Sequence, residues 1–337
     1  MSRATAPGPW TRHAPGACGS FAEVALYVLK RLLAAIPTLL LVAASVFFLM
    51  RLIPGDPALL VLGDAATPEA IADLRASMGL DRTLPVQFAL WLSQLLGGDL
   101  GFSITSGEAV GPLILDRFGV TAAIVLAAVA IAVLLAVPAG MLAAWKQGSW
   151  GDIAAVSLAT LLLSIPSFWL GLILLLVFGL KLGWVPVVGY VTFAENPWAA
   201  LHYILLPIAT LALVEIGVLI RMARASTIEV LRLDYIAHAR AKGVPESRVL
   251  LRHAFPNAFA PTLTLVGLVL GNLLGGIAVI ETVFTLPGLG RLLVDAIFAR
   301  DYPVIQGVML FIALVYVSVN LAVDLLYPVF DPRVAAE

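Results

Sequence analysis

One cysteine, Cys18, serves all 337 residues. That excludes a disulfide framework and any Cys-x-x-Cys metal site. Histidine is nearly as scarce: His13, His202, His238 and His253 are scattered and make no tight metal cluster. Charged residues make up only 12% of the chain, against about 25% in a soluble domain. No G-x-x-x-x-G-K-[ST] phosphate loop occurs, so the chain is not expected to hydrolyse ATP alone. H-E-x-x-H and G-x-S-x-G are missing too, and with them the marks of a zinc protease or a serine hydrolase. The chain reads as non-enzymatic, with no metal site and no cofactor of its own.

What is abundant is apolar surface: 61% hydrophobic residues and a mean hydropathy of +1.02. A bilayer core takes about 20 apolar residues per helix. Six segments qualify, at 32–50, 119–144, 153–180, 204–220, 260–283 and 304–327. The expected fold class is all-α, a polytopic membrane protein with six transmembrane helices. Pro37, Pro138, Pro166 and Pro207 fall inside spans, which membranes tolerate when neighbouring helices satisfy the freed backbone groups.

Lys and Arg set the orientation. With both termini cytosolic, the inner segments hold thirteen of the twenty basic residues: Arg3, Arg12, Lys30, Arg31, Lys146, Arg333 and seven between 221 and 258. Residues 1–24, rich in Ala, Gly and Pro, read as a disordered cytosolic tail with a free Cys18 thiol. No apolar run precedes Cys18, so Ala-Pro-Gly-Ala-Cys18 is not read as a lipoprotein cleavage site. Residues 25–116 read as the first span and a folded outer loop, and 117–334 as the core. In the outer loop, Thr67-Pro68 predicts a capped helix with Ile71, Leu74 and Met78 on one face and Gly79 at its end. A second short helix is expected over 84–96. This loop is a cap over the spans or a docking surface for an external protein.

Glu215 and Asp324 stand inside the spans, and Glu281 only at the very end of the fifth. They make a poor proton relay, so a secondary transporter is the lesser reading. Glu215 is six residues from Arg221 and does not share its face. It either has a structural partner on another helix or meets a substrate amine. Asp324 reads as structural. Asn272 is a candidate for the pathway, or for an interhelical hydrogen bond.

The basic stretch 221–258 carries Arg221, Arg224, Arg232, Arg240, Lys242, Arg248 and Arg252 against Glu229, Asp234 and Glu246. Leu233 to Lys242 favours helix, with small residues at Ala237, Ala239 and Ala241 and a terminating Gly243. Pro245 opens a second helix that Pro256 should stop near Phe255. A short helix with small side chains suits a groove on a partner. The alternative is a basic loop held to anionic lipid.

Ala239, Gly243 and Pro256 match the E-A-A, three residues, Gly, nine residues, I-x-L-P pattern of the inner-membrane permeases of binding-protein-dependent ABC importers. The glutamate of that pattern is absent: Ala237-His238-Ala239 stands in its place. Ala239-Arg240-Ala241-Lys242-Gly243 resembles the dipeptide/oligopeptide/nickel branch. So, in order, do Arg51-Leu52-Ile53-Pro54-Gly55-Asp56-Pro57, Gly98-Asp99-Leu100-Gly101-Phe102-Ser103, Ser164-Ile165-Pro166-Ser167-Phe168, Glu281-Thr282-Val283-Phe284, Pro287-Gly288-Leu289-Gly290, Arg300-Asp301-Tyr302-Pro303 and Asp331-Pro332-Arg333. The resemblance covers residues 25 to 334.

The resemblance implies the type I importer permease fold in a bacterial inner membrane. It also implies a second, related permease as partner, two cytosolic ATPase subunits that bind ATP and Mg, and an extracytoplasmic binding protein. No nucleic acid is implied. Asp234, Tyr235, Ala239, Arg240, Lys242, Gly243 and Pro256 would couple to the ATPase. Asp99, Glu281, Pro287, Gly288, Arg300 and Asp301 would face the binding protein. Glu215 and Asn272 are the pathway candidates. Small peptides are the expected substrates, with nickel, opines or another small solute as alternatives.

Overall fold

The computed structural model describes residues 21–52, 59, 62, 67–77 and 79–330. Cys18 and the rest of 1–20, residues 53–57 of the first motif, Met78 and Asp331-Pro332-Arg333 lie outside the described residues. Helix α1 (Phe21–Leu52) begins within the segment read as a tail. Two short helices follow, α2 (Pro68–Ser77) and α3 (Leu84–Leu96). Thr67 caps α2 as its sequence requires: its Oγ1 accepts from the Ala70 amide at 3.2 Å. Helix α3 has the expected bounds. It packs Phe88 and Trp91 against Phe47 of α1, and Arg51 of α1 donates to Gln87 Oε1 at 3.1 Å.

The centre of the molecule is the pair α4 (Val110–Trp145) and α7 (Pro197–Leu231). Helix α7 starts where Asn196 Oδ1 accepts from the Trp198 and Ala199 amides, both at 3.1 Å, with Pro197 in the first turn. Small residues let these backbones approach closely: Ala128, Ala132 and Ala136 of α4 are fully buried. A side chain at Gly140 would collide with the Ile220 carbonyl. At about 1.5 Å per residue, α4 is about 54 Å long, well over a bilayer core of about 30 Å.

The third span differs from the single helix expected. Helix α5 (Trp150–Ser164) and helix α6 (Ser167–Leu174), which continues as π-helical turns over Leu175–Lys181, are bent by 96°. Pro166 is the cause. It supplies no N–H and holds Ile165 in an extended conformation, φ −93°, ψ 124°. Among the described residues five helices are long and apolar enough to cross a membrane, or six if the bent pair counts as one.

Helix α8 (Asp234–Ala241) and the short α9 (Glu246–Arg248) follow α7. Pro256 does not stop the chain there. Val249–Ala254 forms π-helical turns that run directly into α10 (Phe255–Gly276). Pro256 sits in the first turn of α10, where its missing N–H costs least. The fifth span ends at Gly276 rather than 283. Helix α11 (Ala278–Val283) is a separate turn, followed by α12 (Leu289–Ala299) and α13 (Tyr302–Phe330). Helix α13 packs on α10 and α1, and Arg31 of α1 pairs with Asp324 at 3.2 Å. Asp324, read as structural, takes part in this pair between α1 and α13.

Candidate functional site

Two clusters occupy opposite ends of α4. At its C-terminal end, Val137 and Met141 pack with Val230, Ile236, Val249, Leu250, Ala254 and Ala258. Ile236 and Val249 are fully buried. This apolar cluster fixes α8 to the body of the protein and leaves its other face uncovered. Asp234, Ala237, His238, Arg240, Ala241, Lys242 and Gly243 are exposed. Ala239, expected to meet a partner, instead lies half-buried against this cluster. The small residues that lie open are Ala237 and Ala241, four apart and therefore on one face.

The end of α8 is built by backbone geometry. Gly243 has φ +77°, a left-handed conformation that side chains resist. Its amide donates to the Arg240 carbonyl at 2.9 Å, and the Val244 amide donates to Ala239 O at 3.2 Å. A Cβ at Gly243 would meet nothing within 4 Å, so its requirement is conformational and its surface is open.

Tyr235 is not free for a partner. Its hydroxyl donates to the His253 carbonyl at 3.2 Å and accepts from Asn257 Nδ2 at 2.8 Å. It ties α8 to the join of the π-helical turns with α10. Arg240, expected to pair with acids on another chain, is already paired with Glu246, Nε to Oε1 at 2.7 Å. Both side chains are exposed, so the pair adds little stability. Asp234 stands in the first turn of α8, where a carboxylate suits the helix dipole.

Sequence reasoning missed the strongest charge pair at this end. Arg224 of α7 grips Asp152 of α5 in bidentate fashion, Nε to Oδ1 at 2.5 Å and Nη2 to Oδ2 at 2.8 Å. Asp152 is buried and also accepts from the Gly148 amide at 2.9 Å. One signal was available: Ser149 and Asp152 have the spacing of a helix start, and the Asp152 amide does donate to Ser149 Oγ at 3.3 Å.

The other end of α4 holds the residues expected to face a binding protein, and three of them turn inward. Glu281 is fully buried. It accepts from Thr121 Oγ1 at 2.5 Å and from the Arg291 amide at 2.8 Å. Thr121 in turn accepts from the Leu289 amide at 2.8 Å, so the N-terminus of α12 is capped from inside the protein. Gly288 is buried over Glu281, where any Cβ would overlap the carboxylate. Asp301 is 1% exposed and accepts from Ser103 Oγ at 2.5 Å, Thr105 Oγ1 at 2.9 Å and the Thr105 amide at 3.2 Å. Burial pushes the Asp301 carboxyl up, but hydrogen bonds from Ser103, Ile104 and Thr105 outweigh it and hold the group below the usual aspartate range. Asp99 and Arg300 are exposed, and Pro287 lines a cavity.

Within the spans, Glu215 has no hydrogen bond or ion pair among the described residues, so the structural partner expected for it is not found within them. Asn272 is exposed and makes no interhelical hydrogen bond there. Its neighbours at helical spacing, Thr264, Leu268, Gly275 and Gly276, are exposed as well, so α10 presents an uncovered stripe. Among the described residues no three His, Cys, Asp or Glu side chains gather as a metal site.

The short exposed α8 thus lies between the long helices α7 and α10 of an apolar bundle, and the sequence matches a known family. The profile for the inner-membrane component of binding-protein-dependent transport systems fits residues 136–336, and the profile for the N-terminal part of such components fits residues 24–126. The chain belongs to this family. It is a multi-pass inner-membrane permease of the ABC type. A peptide transport system permease protein of Brucella suis biovar 1 is 47% identical over 307 residues, 91% of this chain and 98% of the relative. The glutathione transport system permease protein of Salmonella choleraesuis is 44% identical over 308 residues, 91% and 98% of the two chains. A peptide ABC transporter permease protein of Sinorhizobium fredii is 40% identical over 311 residues, 92% and 99%. In this permease the exposed face of α8 is the candidate coupling surface. The buried Glu281 and Asp301 are the frame of the opposite end.

Proposed function

We propose that the chain is one of two permease subunits of an ATP-driven importer of small peptides. The observation that carries this reading is end-to-end similarity to permeases named for peptide and glutathione transport. The second permease is a related chain, making a heterodimer. Its contact with this subunit covers the uncovered stripe of α10, and the pathway runs between the two subunits past Asn272 and Glu215. Unpaired polar groups inside a bilayer are costly, and a pathway supplies a reason to keep them.

Two cytosolic ATPase subunits supply the energy, with ATP and Mg bound to them. Each coupling helix rests on an ATPase. Here Ala237 and Ala241 allow close approach, and Asp234, His238 and Lys242 offer polar contacts. Tyr235 and the apolar cluster beneath α8 carry its displacement into α10, a rigid element with π-helical turns at its root. The spans then alternate between inward- and outward-facing states biased by ATP. Both termini and the 221–258 segment lie in the cytosol, with the bent α5–α6 pair counted as one crossing. A binding protein delivers the peptide to the opposite face. The permease itself makes and breaks no covalent bond.

The test is reconstitution in vesicles. Peptide uptake and ATP hydrolysis should need this chain, the second permease, both ATPases and loaded binding protein together. ATP hydrolysis by the purified chain alone, or uptake without the ATPases, overturns the reading.

A further inference from the structure

Beside the capped start of α12 lies a cavity of about 320 Å³, lined by Arg117, Pro287, Gly288, Arg291, Leu292 and Asp295. Its lining brings two guanidinium groups together with one carboxylate, and the Glu281 carboxylate lies beneath Gly288, already hydrogen-bonded to Thr121 and to the Arg291 amide. Arg117 makes no ion pair and no side-chain hydrogen bond with the described residues, and its Nε is buried without an acceptor. A buried donor of a charged group left unpaired is expensive, and more so than a neutral one. Arg291 is held only loosely, 3.7 Å from Asp295 one helical turn on. Asp295 is exposed at the rim.

The amides at the start of α12 are already occupied: Leu289 donates to Thr121 and Arg291 to Glu281. What the cavity offers a visitor is therefore its two guanidinium groups. A planar guanidinium fork matches a carboxylate. The volume is at the small end of ligand pockets, which start at about 300 Å³. It suits the end of one side chain better than a whole peptide with its own solvation.

We propose that this cavity is a socket for an acidic side chain, aspartate or glutamate, on the extracytoplasmic binding protein. The proposal rests on the importer reading, which places this end of α4 outside the cell. Arg117 is the inner donor and Arg291 the outer one. Asp295 keeps Arg291 oriented in the free permease and gives way to the incoming carboxylate. Such a contact speeds and orients docking, and it weakens as salt rises.

The test uses the whole transporter in lipid nanodiscs, with ATP hydrolysis followed against the concentration of its cognate binding protein. Arg117→Gln should raise the half-maximal concentration about tenfold. It should also flatten the dependence of that concentration on salt, and Arg117→Lys should restore part of both. Loss of folding alone does not change a salt slope. If Arg117→Gln fails to insert, Arg291→Gln at the half-buried outer position carries the same comparison. An Arg117→Gln/Arg291→Gln double variant with unchanged half-maximal concentration and salt slope overturns the proposal. So does a rise in the peptide KM at saturating binding protein with docking unaffected, because the carboxylate then belongs to the substrate. A wild-type transporter that ignores its binding protein removes the importer reading, and the socket with it.

Discussion

The Asp301 carboxylate accepts a hydrogen bond from Ser103 Oγ at 2.5 Å, across 198 residues of chain. Each lies in a motif recognisable from sequence, Gly98-Asp99-Leu100-Gly101-Phe102-Ser103 and Arg300-Asp301-Tyr302-Pro303. The structure makes them one feature. The carboxylate staples the segment before α4 to the corner between α12 and α13. Asp301→Ala should therefore cost about 2–3 kcal/mol, because Ser103 and the Thr105 amide lose a charged acceptor. The measurement is the melting temperature in detergent, with Asp99→Ala as the exposed control.

The same carboxylate sets a pH dependence. Its folded pKa is depressed, so its contribution is present above the ordinary aspartate range and is lost as pH falls through the lower folded value. Melting temperature should drop as pH is taken from about 5 toward 3, around the unperturbed aspartate pKa of about 3.9. In Asp301→Asn that part of the drop should shrink. Equal slopes in both proteins would show that other carboxylates dominate.

Ala239 and Ala241 separate packing from docking. Ala241→Arg changes the open face of α8, so melting temperature should hold while ATPase co-purification and uptake fall. Ala239→Arg pushes a long side chain toward the cluster around Ile236 and should cost about 1–3 kcal/mol as well. If Ala241→Arg transports normally at normal membrane levels, the open face is not the docking face.

Gly243→Val should destabilise the end of α8 by about 1–2 kcal/mol, since a β-branched residue resists φ +77°. A Cβ at the position would meet nothing within 4 Å, so the cost comes from the backbone conformation and not from a clash at Cβ. Hydrogen exchange of the amides of 243 and 244 should speed up, with the α4–α7 core unchanged.

Orientation is checked by thiol labelling. Ser106 and Ser247 are both exposed. After removal of Cys18, an impermeant reagent on intact cells should label Ser106→Cys and spare Ser247→Cys. The reverse pattern would invert the proposed topology.

Local signals were legible in the sequence. Thr67-Pro68 announces a helix start, residues 84–96 a second helix, and Gly243 a left-handed stop, because each depends on a few adjacent residues. The bend at Pro166 was less so: a proline in a span predicts a weak point, and the neighbours decide whether the helix kinks or turns. Pro256 shows the opposite outcome. Its first-turn position and the π-helical turns before it absorb a residue that sequence alone reads as a stop. The inward turn of Glu281 and Asp301 was invisible, since their partners Thr121 and Ser103 are 160 and 198 residues away. An isolated acid near a membrane edge looks the same whether it greets a partner or holds the frame together.

The contact between Gly288 and Glu281 restricts the drift of related chains. Bulk can be added at 288 only where the acid at 281 has been shortened or removed, and losing that acid uncaps α12. In an alignment of relatives, positions 281, 288 and 121 should change as a group or not at all, while the exposed Asp99 and Arg300 vary independently. That covariation would be a record, in sequences alone, of a packing constraint seen here in one molecule.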